Sequence, residues 1–336
     1  MSLRVAVVGA TGAVGTVMLE KLRERDFPAS EIVPFASERS AGRRLDGGLV
    51  VQPLRDDTIA GFDVAIFSAG ATTSREWAPR FAATGCVVVD NSSAFRRDPA
   101  IPLVVAEVNP EALDGHNGII ANPNCSTMQL MVALKPIHDA AGIERLIVST
   151  YQSVSGTGVK AVKELEDQTS ALLNGTAVPA AEIYPHQIAF NVHGGAGNFL
   201  DGDDHTDEER KMMFETRKIL GDESIAISVT CARVPVTYSH SESVNVQTRE
   251  PLSVDEARAL LEQMPGLTLV DPYPTAVGAA GHDDVFVGRL RRDPSHERGL
   301  QMWVVSDNLH KGAATNAVQL AELLHSRGLV GARTAA

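Results

Sequence analysis

The turn Asn122-Pro123-Asn124-Cys125-Ser126-Thr127 places a thiol directly before an apolar helical run at 128–134. The run before it, Gly118-Ile119-Ile120-Ala121, reads as a strand. A cysteine at a helix start meets free backbone N–H groups and the positive end of the helix dipole. Both favour the thiolate. A thiolate so placed is a covalent nucleophile, and the same N–H groups steady an oxyanion formed beside it. The other two cysteines have ordinary surroundings. Cys86 adjoins Val87, Val88 and Val89, and Cys231 lies in an alternating strand-like stretch, so both read as packed and inert.

A thiol nucleophile needs a proton partner and a substrate clamp. Arg233-Val234-Pro235-Val236-Thr237-Tyr238-Ser239-His240-Ser241 reads as a strand ending in an imidazole. A histidine, whose ordinary pKa is near neutral, is the natural proton partner for a cysteine, although a surface role is the common fate of any one of ten histidines. Arg233 suits a bidentate grip on a carboxylate, with a plain salt bridge as the alternative. Tyr151-Gln152-Ser153-Val154-Ser155-Gly156-Thr157-Gly158 reads as a strand followed by a glycine turn that lets backbone approach a ligand. Asp307-Asn308-Leu309-His310-Lys311-Gly312 opens the C-terminal helix and places Asn308 toward a nicotinamide. The acidic stretch 201–207 lacks the sixth-position glycine and twelfth-position glutamate of a calcium loop, and reads as solvated loop leading into a helix at Glu208. No metal is expected.

The third constellation is Gly9-Ala10-Thr11-Gly12-Ala13-Val14-Gly15, between the first strand-like run and the first helical pattern. Glycines here allow a tight turn and close backbone approach to a pyrophosphate, which the helix N-terminus then receives. At the end of the second strand-like run stands Phe35-Ala36-Ser37-Glu38-Arg39-Ser40. Arg39 with Ser37 and Ser40 suits a 2′-phosphate, whereas Glu38 pointed at the ribose favours the form lacking it. The cofactor expected on balance is NADP (NADPH).

These residues need a scaffold. Apolar runs at 3–9, 32–36, 64–67 and 87–89 alternate with helical spacing, such as Val14, Val17, Met18, Leu19 and Leu22. That predicts a parallel sheet covered by helices on both faces. After about residue 145, period-2 stretches at 146–151, 225–236, 244–247 and 302–305 predict a mainly antiparallel sheet. Residues 312–327 return to helical spacing, and 191–207, rich in Gly, Asp and His, reads as an exposed loop. The chain has 336 residues, 44% hydrophobic and 21% charged, with a net charge of -12. Its length fits about two domains, and its charge argues against nucleic acid as a partner. No basic leader, no apolar span for a membrane and three unpaired cysteines lead us to expect a cytoplasmic protein.

Taken together, the chain resembles the aspartate-semialdehyde dehydrogenase family almost end to end. Seven blocks carry the resemblance in order: 9–15, 91–96, 122–127, 151–158, 208–211, 233–241 and 307–314. It implies an α/β protein: a Rossmann-type doubly wound parallel sheet domain at 1–126 plus 312–336, the C-terminal helix returning to it. The remainder, 127–311, would be an α+β catalytic and dimerisation domain with a largely antiparallel sheet. It implies Cys125 as nucleophile, His240 as general acid/base and Gln152 orienting the acyl intermediate. Arg233 would hold the substrate α-carboxylate and Glu208 its amino group, with Arg96, Asn124 and Lys211 forming the phosphate site. The coenzyme would meet Gly9, Thr11, Gly12, Ala13, Val14, Ser37, Arg39, Ser40, Ser155, Gly156 and Asn308. Two departures stand out: Ser239 where the family has Gly or Cys, and 193–205, where the family is richer in Ile and Pro.

The reaction implied is reversible reduction of L-aspartyl 4-phosphate to L-aspartate 4-semialdehyde, in lysine, threonine and methionine biosynthesis, by a homodimer or tetramer. Two other readings stay open. One is an N-acetyl-glutamyl-phosphate reductase, which has no use for Glu208 facing a free amine; the other is a non-catalytic NADP sensor, which needs neither His240 nor Arg233.

Overall fold

The computed structural model describes residues 2–330. Two compact units share the chain: residues 2–124 with 313–330, and residues 125–312. The division falls at 124/125 and 312/313, against the expected 126/127 and 311/312. Residue 1 and residues 331–336, assigned to the first domain from sequence, lie outside the described residues.

The first unit is a six-stranded, all-parallel sheet. Its strands are β1 (Leu3–Val8), β2 (Ala29–Ala36), β3 (Gln52–Pro53), β4 (Val64–Phe67), β5 (Val87–Asp90) and β6 (Ile119–Ala121), in the spatial order β3-β2-β1-β4-β5-β6. The reversal of order beside β1 is the switch point at which such sheets bind nucleotides. β4 and β5 are buried at every position, as the apolar runs 64–67 and 87–89 predict, and Asp90 at the end of β5 is buried with them. Helix α1 (Ala13–Glu24) follows β1, and α2 (Ala71–Ala83) covers a core in which the Phe81 ring meets Phe35 and Phe67 edge-on. The C-terminal α8 (Asn316–Ser326) packs on α1, β4 and β5.

The second unit is a mixed sheet covered on one face by α3 (Cys125–Ala141), α5 (Asp207–Leu220) and α6 (Val254–Glu262). Its strands are β7 (Ile143–Gln152), β8 (Ala226–Arg233), β9 (His240–Thr248), β10 (Leu267–Leu269), β11 (Val285–Arg292) and β12 (Gly299–Ser306), in the order β10-β11-β12-β9-β7-β8. Pairing is antiparallel in the centre, but both edge pairs, β10–β11 and β7–β8, are parallel. Helix α4 (Val159–Leu173) follows the glycine turn after β7, and a one-turn α7 spans Ala276–Ala279.

Three sequence readings need correction. The alternating pattern suggested one strand over 225–236 with His240 at its end. Instead β8 stops at Arg233, and His240 is the first residue of β9. Pro235 brings no N–H to a ladder, and Ser239 turns the chain in the left-handed region at φ +72. The C-terminal helix begins with a π-helical segment, His310–Thr315, before regular α geometry at Asn316. Its wider turn brings Gly312 against Cys125: a Cβ on Gly312 would lie 2.9 Å from the Cys125 Cβ. Helix α5 starts at Asp207, one residue before the expected Glu208, because Thr206 caps it. The Thr206 hydroxyl accepts from Glu209 N–H, and the Glu209 carboxylate accepts from Thr206 N–H. Upstream, residues 191–205 carry only isolated bridges.

Candidate active site

The first unit presents a cleft of about 480 Å³ lined by Gly9, Thr11, Gly12, Ser37, Glu38 and Trp77 among others. Gly9 has φ +88, and a side chain there would collide with the Ser68 carbonyl; one on Gly15 would collide with the Gly9 carbonyl. The turn therefore keeps bare backbone against the cleft, and Gly12 stands as the uncapped N-cap of α1. Its orphan N–H groups and dipole suit an anion. Arg39 is exposed beside the cleft, with Ser37 and Ser40 on the same short turn. Glu38 is engaged by a bidentate pair with Arg55, Nε to Oε1 at 3.0 Å and Nη2 to Oε2 at 3.2 Å. This pair, joining residues seventeen apart, had no sequence signal. The cradle, the orphan N–H groups and the cleft fit a dinucleotide. In the same unit, Arg96 is buried and donates from Nη2 to the Asn91 carbonyl at 2.8 Å, and Asn91 in turn accepts from Asn122. Asn124 is buried at the end of this unit's first segment.

The second unit begins at the thiol. Cys125 is the first residue of α3 and is half-buried. Cys86 and Cys231 are buried, and burial pushes both thiols well above the ordinary range, which suits inert packing.

Two networks hang from the end of β7. Gln152 donates from Nε2 to the Ser126 hydroxyl at 3.0 Å and to Glu208 Oε1 at 3.2 Å. Glu208 Oε2 accepts from Lys211 Nζ at 3.3 Å, and Lys211 also reaches Asp207 at 2.9 Å. Burial pushes the Lys211 ammonium down, but Glu208 and Asp207 outweigh it and raise its pKa. Glu208 and Lys211, three residues apart on α5, thus share one face with Asp207.

The second network starts one residue on. The Ser153 carbonyl accepts from Arg233 Nη1 at 2.7 Å, and the Ser153 N–H donates to His240 Nδ1 at 3.0 Å. Asn308 closes it: its Oδ1 accepts from the Ser153 and Ser155 hydroxyls and from the Ser239 N–H. His240 is fully buried and its Nε2 has no hydrogen-bond partner. Burial, with Arg233 second, lowers its pKa to about 3. Gly156 packs on this ring: a Cβ there would stand 3.2 Å from both Cε1 and Nε2. Arg233 is buried, its Nε is unpartnered, and among the described residues no carboxylate forms a salt bridge with it. A buried guanidinium without an anion is costly, and its unpartnered Nε–H can receive one.

The structure therefore gathers Cys125, Gln152, Ser155, Gly156, Glu208, Lys211, Arg233, His240 and Asn308 in the second unit. It gathers Gly9, Thr11, Gly12, Ala13, Val14, Ser37, Arg39, Ser40, Arg96 and Asn124 in the first. Sequence reading missed Ser126, Ser153 and Asp207. Asp207 was detectable as the i,i+4 partner of Lys211; the Ser153 N–H, being backbone, was not. In the acidic loop, Asp203 is held by Arg210 and by His205, with the Arg210 bond chiefly lowering its pKa. Among the described residues, no helix is long and apolar enough to cross a membrane.

These two units correspond to the halves of a known class of oxidoreductases. The family model "Semialdehyde dehydrogenase, NAD binding domain" matches residues 4–116, and "Semialdehyde dehydrogenase, dimerisation domain" matches residues 134–311. The aspartate-semialdehyde dehydrogenase of Aquifex aeolicus is 53% identical over 98% of this chain and 100% of its own length. The crystal structure of aspartate semialdehyde dehydrogenase II from Vibrio cholerae superposes with a TM-score of 0.94 at 50% identity, covering 97% of this chain and 99% of that one. A structure of the same enzyme complexed with ASA gives a TM-score of 0.93 at equal identity and coverage. The chain belongs to the aspartate-semialdehyde dehydrogenase family.

Proposed function

We propose that the protein reduces L-aspartyl 4-phosphate to L-aspartate 4-semialdehyde, reversibly, through a thioester on Cys125. The carrying observation is the buried Arg233, a guanidinium without a carboxylate, in one hydrogen-bonded system with His240 and next to the Gln152–Glu208–Lys211 chain. Arg233 takes the substrate α-carboxylate through paired hydrogen bonds. Glu208 takes the α-amino group, and this favours an unacylated substrate over an N-acetylated one. Lys211 binds the phosphate. Gln152, fixed by Ser126 and Glu208, orients the acyl group, and His240 serves as acid/base partner. Incubating the enzyme with each semialdehyde, phosphate and oxidised coenzyme tests the substrate. Turnover of L-aspartate 4-semialdehyde is expected, and exclusive turnover of the N-acetylated glutamate analogue overturns the reading.

The coenzyme proposed is NADP, and when bound it supplies or accepts the hydride. Gly9, Thr11, Gly12, Ala13 and Val14 would hold its pyrophosphate, and Ser37, Arg39 and Ser40 its 2′-phosphate. Ser155, Gly156 and Asn308 would meet the nicotinamide side. The Glu38–Arg55 pair supports the phosphorylated form, because it neutralises the one carboxylate that would repel that phosphate. Kinetics with NADPH and NADH test this, and a preference for NADH refutes it.

We read the enzyme as a cytoplasmic homodimer joined through its second unit. The outer face of the second sheet supports this, since Tyr151, Tyr273 and Trp303 line a cleft there with Arg289 and Arg291. Light scattering distinguishes the dimer from a tetramer, and a monomer at micromolar concentration refutes it.

A further inference from the structure

Arg233 is buried without a carboxylate, but it has an aromatic neighbour. Its Cζ lies 6.0 Å over the centroid of the Tyr184 ring, within reach of a cation–π contact. The guanidinium otherwise donates from Nη1 to the Ser153 carbonyl, and its Nε has no partner. Burial raises the Tyr184 phenol, with Arg233 opposing it, so the ring meets the cation as a neutral π-face.

The ring is fastened from several sides. Its hydroxyl donates to the Thr157 hydroxyl at 3.0 Å, on the glycine turn after β7. Its own N–H donates to the buried Glu164 carboxylate of α4 at 3.4 Å, and those of Glu182 and Ile183 do so at 2.7 Å each. The His193 ring meets it edge to face at 5.7 Å. The His193 and Arg233 backbones exchange two hydrogen bonds, at 3.0 and 2.9 Å. Tyr184 also packs on a small core of Val154, Leu165 and Ile188. The chain from 182 to 193 thus ties α4 to the guanidinium.

A buried cation needs compensation. A protein carboxylate would supply it, but would take the N–H groups that an incoming carboxylate must use. An aromatic face stabilises the cation and leaves that fork free. We propose that Tyr184 is a positioning residue for the substrate α-carboxylate: its ring stabilises and orients Arg233 without competing for the fork. The inference rests on the assignment of Arg233 to that carboxylate. The carboxylate is carried unchanged from ground state to transition state. Loss of the ring should therefore raise KM and spare kcat.

Steady-state kinetics with L-aspartate 4-semialdehyde, phosphate and oxidised coenzyme test this on Tyr184→Phe, Tyr184→Leu and Tyr184→Met. The Phe variant keeps the ring and loses only the Thr157 bond, so its KM should stay within about twofold of wild type. The Leu and Met variants keep apolar bulk and lose the π-face. Each should raise KM for the semialdehyde roughly three- to thirtyfold, with kcat within about twofold and KM for phosphate unchanged. Thermal unfolding checks that each variant is folded, and the Phe and Met variants suffice if Leu does not fold. Unchanged KM in the aliphatic variants overturns the proposal. So does a loss confined to kcat, the mark of general disturbance, or a KM as high in Phe as in Met. Arg233→Lys, which loses the fork, tests the assignment beneath it. A raised KM there beside an unchanged KM in the aliphatic variants sinks the role of Tyr184 alone. An unchanged KM in Arg233→Lys sinks the carboxylate assignment as well.

Discussion

The coenzyme cleft of the first unit is built largely from backbone, and the site of the second unit from buried side chains. In the first, the cradle consists of turns that glycine keeps bare, and its charged groups, Arg39, Glu38 and Arg55, stand exposed at the rim. In the second, Gln152, Arg233, His240 and Asn308 are all at least nine-tenths buried, each fixed by a named hydrogen bond. The difference is physical. A pyrophosphate is bound by N–H groups that any sequence supplies once the turn is right. A reacting acyl group needs particular atoms held in a dry, preorganised place, and each must be paired or it costs stability.

The sharpest test separates the two regions by removing one atom. Cys125→Ala deletes the sulfur and leaves the first unit untouched. Turnover should fall by roughly 10⁴-fold or more, while coenzyme affinity by fluorescence titration changes less than about twofold. A parallel loss of coenzyme binding breaks the division of labour drawn here. The converse test is Arg39→Ala. A charge-assisted hydrogen bond is worth about 1.5–3 kcal/mol, so KM for NADPH should rise roughly tenfold or more, with KM for NADH and thiol alkylation of Cys125 unchanged. Equal weakening of both coenzymes would move Arg39 away from the 2′-phosphate.

How far each region was legible in the sequence follows from the same contrast. Gly9 and Gly15 announce their site, because only glycine satisfies a positive φ or a carbonyl in contact with Cα. The thiol was legible for a similar reason, since Asn-Pro-Asn must turn before a helix can start. The linkage of Gln152 to Ser126 and Glu208, and of Ser153 to His240 and Asn308, was not. Those partners stand on α3, α5, β9 and the turn after β12, and come together only through the packing of these elements. The misplaced end of β8 shows the limit of periodicity. Alternation continued through Val234 and Val236, while Pro235 and the left-handed Ser239 had already turned the chain. The two parallel edge pairs within the largely antiparallel second sheet were equally hidden, because they depend on crossovers.

Burial of ionisable groups sharpens the comparison further. Glu242 is fully buried on β9, and burial raises its pKa well above the carboxylate range despite the opposing influence of the Gln129 side chain. Its native pKa exceeds its unfolded one. Below the unfolded value both states hold the proton and nothing is lost; above it, the native state alone keeps the proton and stability falls as pH rises. The slope from this group is about 1.4 kcal/mol per pH unit until the native pKa is reached. His240 works in the opposite direction. Its native pKa of about 3 lies below the unfolded value, so stability is lost as pH falls through the ordinary histidine range toward 3. Glu242→Gln preserves the shape of the neutral acid. It should flatten the alkaline side of a urea-unfolding pH profile while leaving the acid side intact. An unchanged alkaline slope would mean that Glu242 is ionised in the folded protein.

The smallest effect is expected at Ser239, where the second unit carries strain beside the His240 imidazole. A non-glycine residue at φ +72 costs roughly 1–2 kcal/mol, and its buried hydroxyl has no partner, which adds to the penalty. Its N–H is still required, as a donor to Asn308 Oδ1. Ser239→Gly keeps that N–H and removes both penalties, but glycine also loosens the unfolded chain by about 0.4–1 kcal/mol. The net should be a stabilisation of about 1 kcal/mol, or roughly 2–4 °C in Tm, with kcat changed by less than about twofold because the His240 ring keeps its Ser153 bond. A fall in Tm would show that the Ser239 hydroxyl is satisfied in solution and that the serine holds the turn. The second unit would then be fastened by side chains even where its backbone is most strained.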